Sequence, residues 1–110
     1  MKTFLSELNK QKEKRYTSAK IIIQKLLEIL VKKYDVKKVV LIGSCLNEKK
    51  FNFHSDIDLV VKGLPDNAYF KAVGELLIAA GEFEVDIIPI ENANERMQQY
   101  IKQGDILYEK

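Results

Sequence analysis

Two aspartates on one short apolar stretch are the first residues of this sequence that point to chemistry. Asp56 and Asp58 lie within 55–62, a segment whose apolar, β-branched composition is typical of a strand. Side chains two residues apart on a strand share a face, so both carboxylates project together while Ile57 and Leu59 turn towards the core. Adjacent carboxylates repel each other unless a cation lies between them, and Mg²⁺ prefers such oxygen ligands. The pair therefore predicts a magnesium site.

A third aspartate repeats this pattern on the next predicted strand. Asp86 lies between two apolar residues, where the two-residue period of a strand assigns it to one face. If the two strands are neighbours, Asp86 joins Asp56 and Asp58. Three carboxylates can hold two metal ions about 3.5–4 Å apart, an arrangement used in phosphoryl transfer. We therefore predict these three aspartates as catalytic residues and ligands of two Mg²⁺ ions, whereas Glu84 is expected to be solvated.

A glycine-serine bend follows the first predicted strand, 36–42. Gly43 lets the backbone turn tightly and approach a phosphate closely, and Ser44 adds a hydroxyl. With the next amides, Ser44 is predicted to form an anion site at a helix N-terminus, which suits the tail of a nucleoside triphosphate. The same position would lower the thiol pKa of Cys45. No second catalytic group accompanies Cys45, so we interpret it, and the nearby His54, as residues without a catalytic role.

The rest of the sequence must supply the elements that hold these side chains. Apolar residues recur at helical spacing over 4–34, where the polar stretch 9–15 leaves open one long helix or two, the second capped by Thr17 or Ser18. Periodicity and turn residues predict strands at 36–42, 55–62 and 83–90, helices at 68–80 and 94–102, and a short extended tail at 105–109. This order predicts an α+β fold, close to α/β, with a mixed β-sheet flanked by helices.

Length and composition favour one soluble domain in the cytoplasm. The 110 residues are 46% hydrophobic and 31% charged, which excludes a disordered, collagen-like or low-complexity chain. No apolar run is as long as a membrane span, the first residues lack the apolar core of a signal peptide, and a lone cysteine fits a reducing compartment. We expect a single domain over 1–110 without a membrane partner, comprising a helical segment 1–34, a catalytic core 36–90 and a C-terminal helix with its tail 94–110.

The net charge of +2 conceals an uneven distribution. Residues 1–38 carry eleven Lys or Arg against four Asp or Glu, whereas residues 39–110 carry seven against twelve. A basic surface of this kind is either a solvated helix face or a docking surface for an acidic partner. Few aromatic residues, Tyr16 and Tyr34 among them, lie between these basic residues as stacking platforms, so nucleic acid is not expected as a partner.

The chain resembles the polymerase-β-type nucleotidyltransferase superfamily in one ordered pattern: Ile42-Gly43-Ser44, eleven further residues, Asp56-Ile57-Asp58-Leu59, and a following strand that bears Asp86. Its small size resembles the minimal nucleotidyltransferase (MNT) branch. The resemblance implies a mixed sheet flanked by helices, with Mg²⁺ and ATP as ligands. It further implies pairing with a helical HEPN toxin, for which the MNT protein is the antitoxin and to a tyrosine of which it transfers AMP.

One position departs from the family pattern. Many members follow the glycine-serine pair with a small residue, an arginine and a glycine, whereas this chain has Cys45-Leu46-Asn47 and no cation before Lys49. We therefore expect the triphosphate to be held less firmly than in those members, and the departure leaves open whether the predicted enzyme is fully active, weak or inactive.

The acceptor of the predicted transfer stays open. The expected reaction is attack of an acceptor hydroxyl on the α-phosphorus of ATP with release of pyrophosphate. Because the predicted elements use nearly all residues, the acceptor is expected from a partner protein, a second copy of the chain, or a small molecule at a dimer interface. The alternatives are a non-catalytic nucleotide-binding antitoxin that neutralises its partner by binding, and a small-molecule nucleotidyltransferase of the aminoglycoside-modifying type.

Overall fold

Three α-helices and four strands make up the structure, a computed structural model that describes residues 3–110. Residues 1 and 2, the start of the predicted segment 1–34, lie outside the described residues. The elements are α1 (Phe4–Lys32), β1 (Lys38–Ile42), β2 (Ile57–Lys62), α2 (Tyr69–Ala80), β3 (Val85–Pro89), α3 (Glu95–Gln103) and β4 (Asp105–Glu109). Short 3₁₀ turns occupy Gly43–Leu46, Asp66–Ala68 and Ile90–Asn92.

The strands form one mixed sheet in the order β3-β2-β1-β4. Strand β1 is antiparallel to both β2 and β4, whereas β2 and β3 are parallel. Parallel neighbours need a long crossover, and α2 provides it between β2 and β3. The predicted mixed sheet flanked by helices is therefore confirmed, and Pro89 ends an edge strand, where its missing N–H breaks no central ladder.

Apolar side chains cover both faces of the sheet. On one face, residues such as Val39 and Leu59 pack with the buried stripe of α1 and with α2 in the larger core cluster. On the other face, Val40, Ile42 and Val60 form a smaller cluster that α3 covers. Burial on both faces explains why the central strands are continuous apolar runs rather than alternating ones. The aspartates interrupt these runs and stand out for that reason.

Helix α1 is one continuous helix from Phe4 to Lys32. Its N-cap is Thr3, whose hydroxyl accepts a hydrogen bond from the Ser6 amide at 3.1 Å. Thr17 lies within the helix and donates to the Glu13 carbonyl at 3.0 Å, so the predicted capping role of Thr17 or Ser18 is wrong. The stretch 9–15 continues the helix because Lys, Gln, Glu and Arg are good helix formers even where no apolar stripe is present.

The helices were compared with the requirements of a membrane span. From residue 3 onwards, no helix combines the length and the apolar composition that a bilayer span requires.

The C-terminal tail is a fourth strand. Residues 105–109, predicted only as an extended tail, pair with β1 along its free edge, with Lys38 opposite Glu109 and Leu41 opposite Asp105. The strand was not evident from its composition because most of its side chains are exposed or only half-buried. Gly104 ends α3 and allows this return, since a Cβ there would lie 2.7 Å from the Leu41 carbonyl oxygen.

We expect Gly104→Ala to lower the free energy of unfolding by about 1–3 kcal/mol, because the added methyl overlaps the β1 backbone and the Val40 side chain. Gly74→Ala is the matched control. Gly74 lies within α2 with nothing within 4 Å of its Cβ position, so its replacement should stabilise the protein by roughly 0.5–1 kcal/mol. Urea denaturation measures both, and a Gly104→Ala protein as stable as the wild type would contradict the observed packing.

Candidate active site

The register of the parallel strands brings the three predicted aspartates to one face of the sheet. Asp58 on β2 lies directly opposite Asp86 on β3. Asp56 precedes β2 and is two residues from Asp58, while the intervening Ile57 is fully buried in the core. On its other side Asp58 pairs with Ile42, the last residue of β1, so the acids share the face that α3 covers further along the strands. The structure thus places Asp56, Asp58 and Asp86 together.

The pKa of Asp58 shows that this arrangement disfavours its charged form. Burial raises its pKa, and the charges of Asp86 and then Asp56 raise it further, to about 6. No hydrogen bond or positive charge within residues 3–110 offsets these effects on Asp58. Folding alone gains nothing from such a group, whereas a cation between the carboxylates would relieve both the desolvation and the repulsion.

The donor set suits Mg²⁺ even though the side chains do not enclose an ion. Within residues 3–110, no three His, Cys, Asp or Glu side chains are grouped so that they alone could hold a metal ion. Mg²⁺ does not need one, because it keeps several waters and binds through one or two carboxylates together with substrate phosphates. Three carboxylates on one face, one of them without a compensating partner, fit that mode of binding.

Gly43 is required at the end of β1 for two reasons. Its φ of +83° lies in the left-handed region that side chains disfavour. A Cβ at this position would also lie only 2.8 Å from Oδ2 of Asp58. The glycine therefore permits both the turn out of β1 and the position of the carboxylate beside it.

The predicted helix after this glycine is a single 3₁₀ turn, Gly43–Leu46. One turn has no appreciable macrodipole, so the expected anion site at a helix N-terminus reduces to local amides and the hydroxyl of Ser44. The expected effect on the thiol pKa of Cys45 is also lost. Burial, then the charges of Asp58 and Asp56, raise the pKa of its thiol to about 11, so the predicted lowering was wrong.

Two hydrogen bonds connect this turn to the residues just before β2. The hydroxyl of Ser44 donates to Oγ of Ser55 at 2.7 Å, and Ser55 also accepts from the Asn52 amide at 2.9 Å. The Cys45 thiol donates to the Asp56 carbonyl at 3.2 Å. Ser55 is the one buried polar residue among residues 3–110, and sequence reasoning missed it. The available signal was a serine next to Asp56 with its side chain directed inward.

A cleft of about 320 Å³ opens beside Asp56. His54 and Glu84 line it and are exposed, as expected for a loop histidine and a solvated acid. Arg15 of α1 lines it from the opposite side. Arg15 could not be recognised from the sequence beyond its charge, because it lies in the polar part of a helix far from the aspartates in the chain.

Comparison with known families decides the family. The family model described as "Polymerase beta, Nucleotidyltransferase" matches residues 24–110, which include the glycine-serine turn and all three aspartates. The chain belongs to the polymerase beta nucleotidyltransferase family. No match is found among the curated proteins.

Solved structures share the fold of this nucleotidyltransferase. A toxin–antitoxin complex with AMP-PNP matches at a TM-score of 0.60 and 26% identity, covering 81% of this chain and 72% of that chain. The MntA–HepT toxin–antitoxin complex matches at a TM-score of 0.59 and 21% identity, covering 83% of this chain and 73% of that chain. A complex of tri-AMPylated Shewanella oneidensis HEPN toxin with MNT antitoxin matches at a TM-score of 0.53 and 24% identity, covering 93% of this chain and 73% of that chain. These similarities show that the chain shares its fold with a chain of each of these complexes.

We expect Gly43→Ala to impair nucleotide binding by the nucleotidyltransferase, with Gly81→Ala as its control. Both glycines have positive φ, so either alanine should lower the free energy of unfolding by about 1–2 kcal/mol. Only the methyl at residue 43 displaces the Asp58 carboxylate, since nothing lies within 4 Å of a Cβ at Gly81. Calorimetric titration with Mg²⁺ and ATP should show a loss for Gly43→Ala alone. Equal affinity in the two variants would contradict the positioning role of Gly43.

The raised pKa of Asp58 predicts that the free energy of unfolding depends on pH. The ordinary pKa of an aspartate, 3.8, rises to about 6 for Asp58 in the native state, so the native state binds this proton more tightly than the unfolded chain. The resulting stability is present below about pH 4 and lost as pH rises to about 6. Without metal, Asp58→Asn should therefore be more stable than the wild type by about 1–2 kcal/mol at pH 7, after allowance for partial solvation.

Urea denaturation at pH 3.5 and pH 7 in the presence of a chelator measures this difference. Asp66→Asn, at an exposed aspartate in the turn before α2, is the control and should match the wild type at both pH values. A gain for Asp58→Asn that is the same at both pH values, or absent at pH 7, would show that Asp58 ionises without cost.

Proposed function

We propose that this protein is a Mg²⁺-dependent nucleotidyltransferase that transfers AMP from ATP to a tyrosine hydroxyl of a helical HEPN toxin, and so acts as its antitoxin. The observation that carries the proposal is the register of Asp58 opposite Asp86, beside Asp56 and the Gly43 turn. Family membership supports nucleotidyl transfer as the reaction class. The similar complex with AMP-PNP supports an adenine nucleotide as the substrate.

The aspartates are the residues that would hold two Mg²⁺ ions. Bound Mg²⁺ supplies neutralisation of the phosphate oxygens on which negative charge develops. Asp58, half-buried against Gly43, is fixed in place and suited to a ligand role. Asp86 lies on an edge strand and is exposed, so it is accessible to an incoming acceptor. The chain thus offers one sheltered carboxylate and two that face the substrates.

Asp86 is our candidate for the residue that accepts the proton of the acceptor hydroxyl. In the proposed step, a bond forms between the acceptor oxygen and the α-phosphorus, and the bond from that phosphorus to pyrophosphate breaks. The hydroxyl proton passes to the carboxylate of Asp86. Ser44 and the amides of its turn orient the triphosphate, and the bond from Ser44 to Ser55 holds that turn against the acidic strand. Positioning and charge neutralisation supply most of the rate in such a reaction.

The partner assignment is part of the same proposal. Similar folds occur in the MntA–HepT complex and in the complex of MNT antitoxin with tri-AMPylated HEPN toxin. The basic, largely exposed surface of α1 is the candidate docking surface on charge grounds. We place the reaction in the cytoplasm, where ATP and Mg²⁺ are available and the thiol of Cys45 stays reduced.

The test is incubation of the purified protein with labelled ATP, Mg²⁺ and a purified HEPN toxin as the acceptor. We expect label on the toxin, and a loss of at least about a hundredfold in transfer rate for the double variant Asp56→Asn with Asp58→Asn, because the cation ligands are removed. Asp66→Asn is the control and should transfer AMP as the wild type does.

Toxin neutralisation in cells separates the remaining outcomes. Loss of neutralisation by the double variant, alongside loss of transfer, is the expected result. A double variant that neutralises the toxin fully would instead indicate an antitoxin that acts by binding. Label found on an aminoglycoside without any protein partner would indicate a small-molecule transferase, and either outcome would overturn the proposal.

A further inference from the structure

Arg15 reaches from α1 into the cleft that Asp56 lines. Its side chain is only 22% exposed, and its guanidinium lies 4.4 Å from the centroid of the Phe83 ring. One terminal nitrogen lies 3.5 Å from Oε1 of Glu82. This contact with the phenylalanine ring holds the guanidinium beside the cleft.

The guanidinium has bonding capacity that the protein does not use. Nε of Arg15 is buried and has no hydrogen-bond partner, the one such side-chain nitrogen or oxygen among residues 3–110. The contact with Glu82 is long, and the Glu82 side chain is 68% exposed, so this surface pair contributes little. Because Nε is enclosed, an anion with several oxygens would bind through the terminal nitrogens of the guanidinium.

The acidic site lacks a cation where a triphosphate needs one. The Gly43–Leu46 turn contains no charged residue, and the lysines that follow it, Lys49 and Lys50, are exposed. Arg15 is the one Lys or Arg that lines the cleft shared with Asp56. The positive charge of Arg15 also acts on the Gly43–Leu46 turn. It lowers the pKa of the Cys45 thiol, although burial and the two aspartates raise that pKa by more.

We infer that Arg15 binds the polyphosphate of the nucleoside triphosphate in this cleft through its terminal nitrogens, one of which contacts Glu82 in the free protein. The inference rests on the proposed function and adds to it a cation from the N-terminal helix. Glu82 occupies the guanidinium in the absence of nucleotide and is displaced into solvent when phosphate oxygens bind. Glu84 lines the same cleft but is exposed, so solvent screens its repulsion of the nucleotide.

Binding of a fluorescent ATP analogue in the presence of Mg²⁺ tests this role. Arg15→Gln should weaken binding roughly 10- to 100-fold, as expected for loss of charge-assisted hydrogen bonds. Arg15→Lys, which keeps the charge but not the planar fork, should give an intermediate loss. Lys14→Gln removes the same charge from an exposed neighbouring position and should bind as the wild type does. Glu82→Gln frees the guanidinium and should tighten binding about twofold or more.

The outcomes separate this inference from the proposed function. If Arg15→Gln binds the analogue as tightly as the wild type while Asp58→Asn does not bind it, the role of Arg15 is overturned and the acidic site stands. If the wild type itself fails to bind the analogue with Mg²⁺, both proposals fall. If Arg15→Gln does not fold, Glu82→Gln decides, since unchanged or weaker binding by this variant would contradict the exchange of Glu82 for phosphate.

Discussion

The repulsion between the carboxylates of Asp58 and Asp86, held opposite each other by the parallel pairing of β2 and β3, is the constraint on which this structure depends. The register of the strands keeps both aspartates on one face of the sheet. The register is fixed in turn by apolar residues buried on both faces of the sheet, since a slip of one residue would exchange those faces. Packing of the core therefore maintains an electrostatic arrangement that is unfavourable until a cation binds.

The glycine-serine turn is coupled to this pair by direct contacts rather than by proximity alone. Gly43 leaves space that the carboxylate of Asp58 occupies, and the hydroxyl of Ser44 bonds to the buried Ser55. The Cys45 thiol adds a bond to the backbone of Asp56. These contacts link the end of β1 to the start of β2 at the antiparallel pair where Ile42 faces Asp58. A site assembled in this way places the proposed phosphate and metal ligands on or next to regular elements, as catalysis by positioning requires.

Much of the fold could be predicted because each strand contrasts sharply with its surroundings. The three aspartates were recognisable as charges in apolar, β-branched segments, and the sheet they imply is present. Strand β4 was predicted only as an extended tail, since its side chains are exposed and its identity comes from pairing with β1. Continuity of α1 through 9–15 depended on helix propensity, which the missing apolar stripe obscured.

The site was less predictable where it depends on contacts distant in sequence. Ser55 and Arg15 acquire their positions only when the turn, the strand and α1 are brought together. The thiol pKa of Cys45 was assigned the wrong direction because burial and two carboxylates exceed the effect of a helix terminus that is only one 3₁₀ turn long. Local motifs thus predicted the candidate site residues, whereas their burial and electrostatics required the three-dimensional structure.

The measurement that tests the central claim most directly is the titration of the Asp58 carboxyl group by carbon-13 NMR, first without metal and then with Mg²⁺ and a non-hydrolysable ATP analogue. We expect the pKa of Asp58 to be about 6 in the free protein, because of its burial and the charges of Asp86 and Asp56. Addition of Mg²⁺ and the analogue should lower it below the ordinary value. A pKa near 4 that does not change on addition would show that the carboxylates form no cation site.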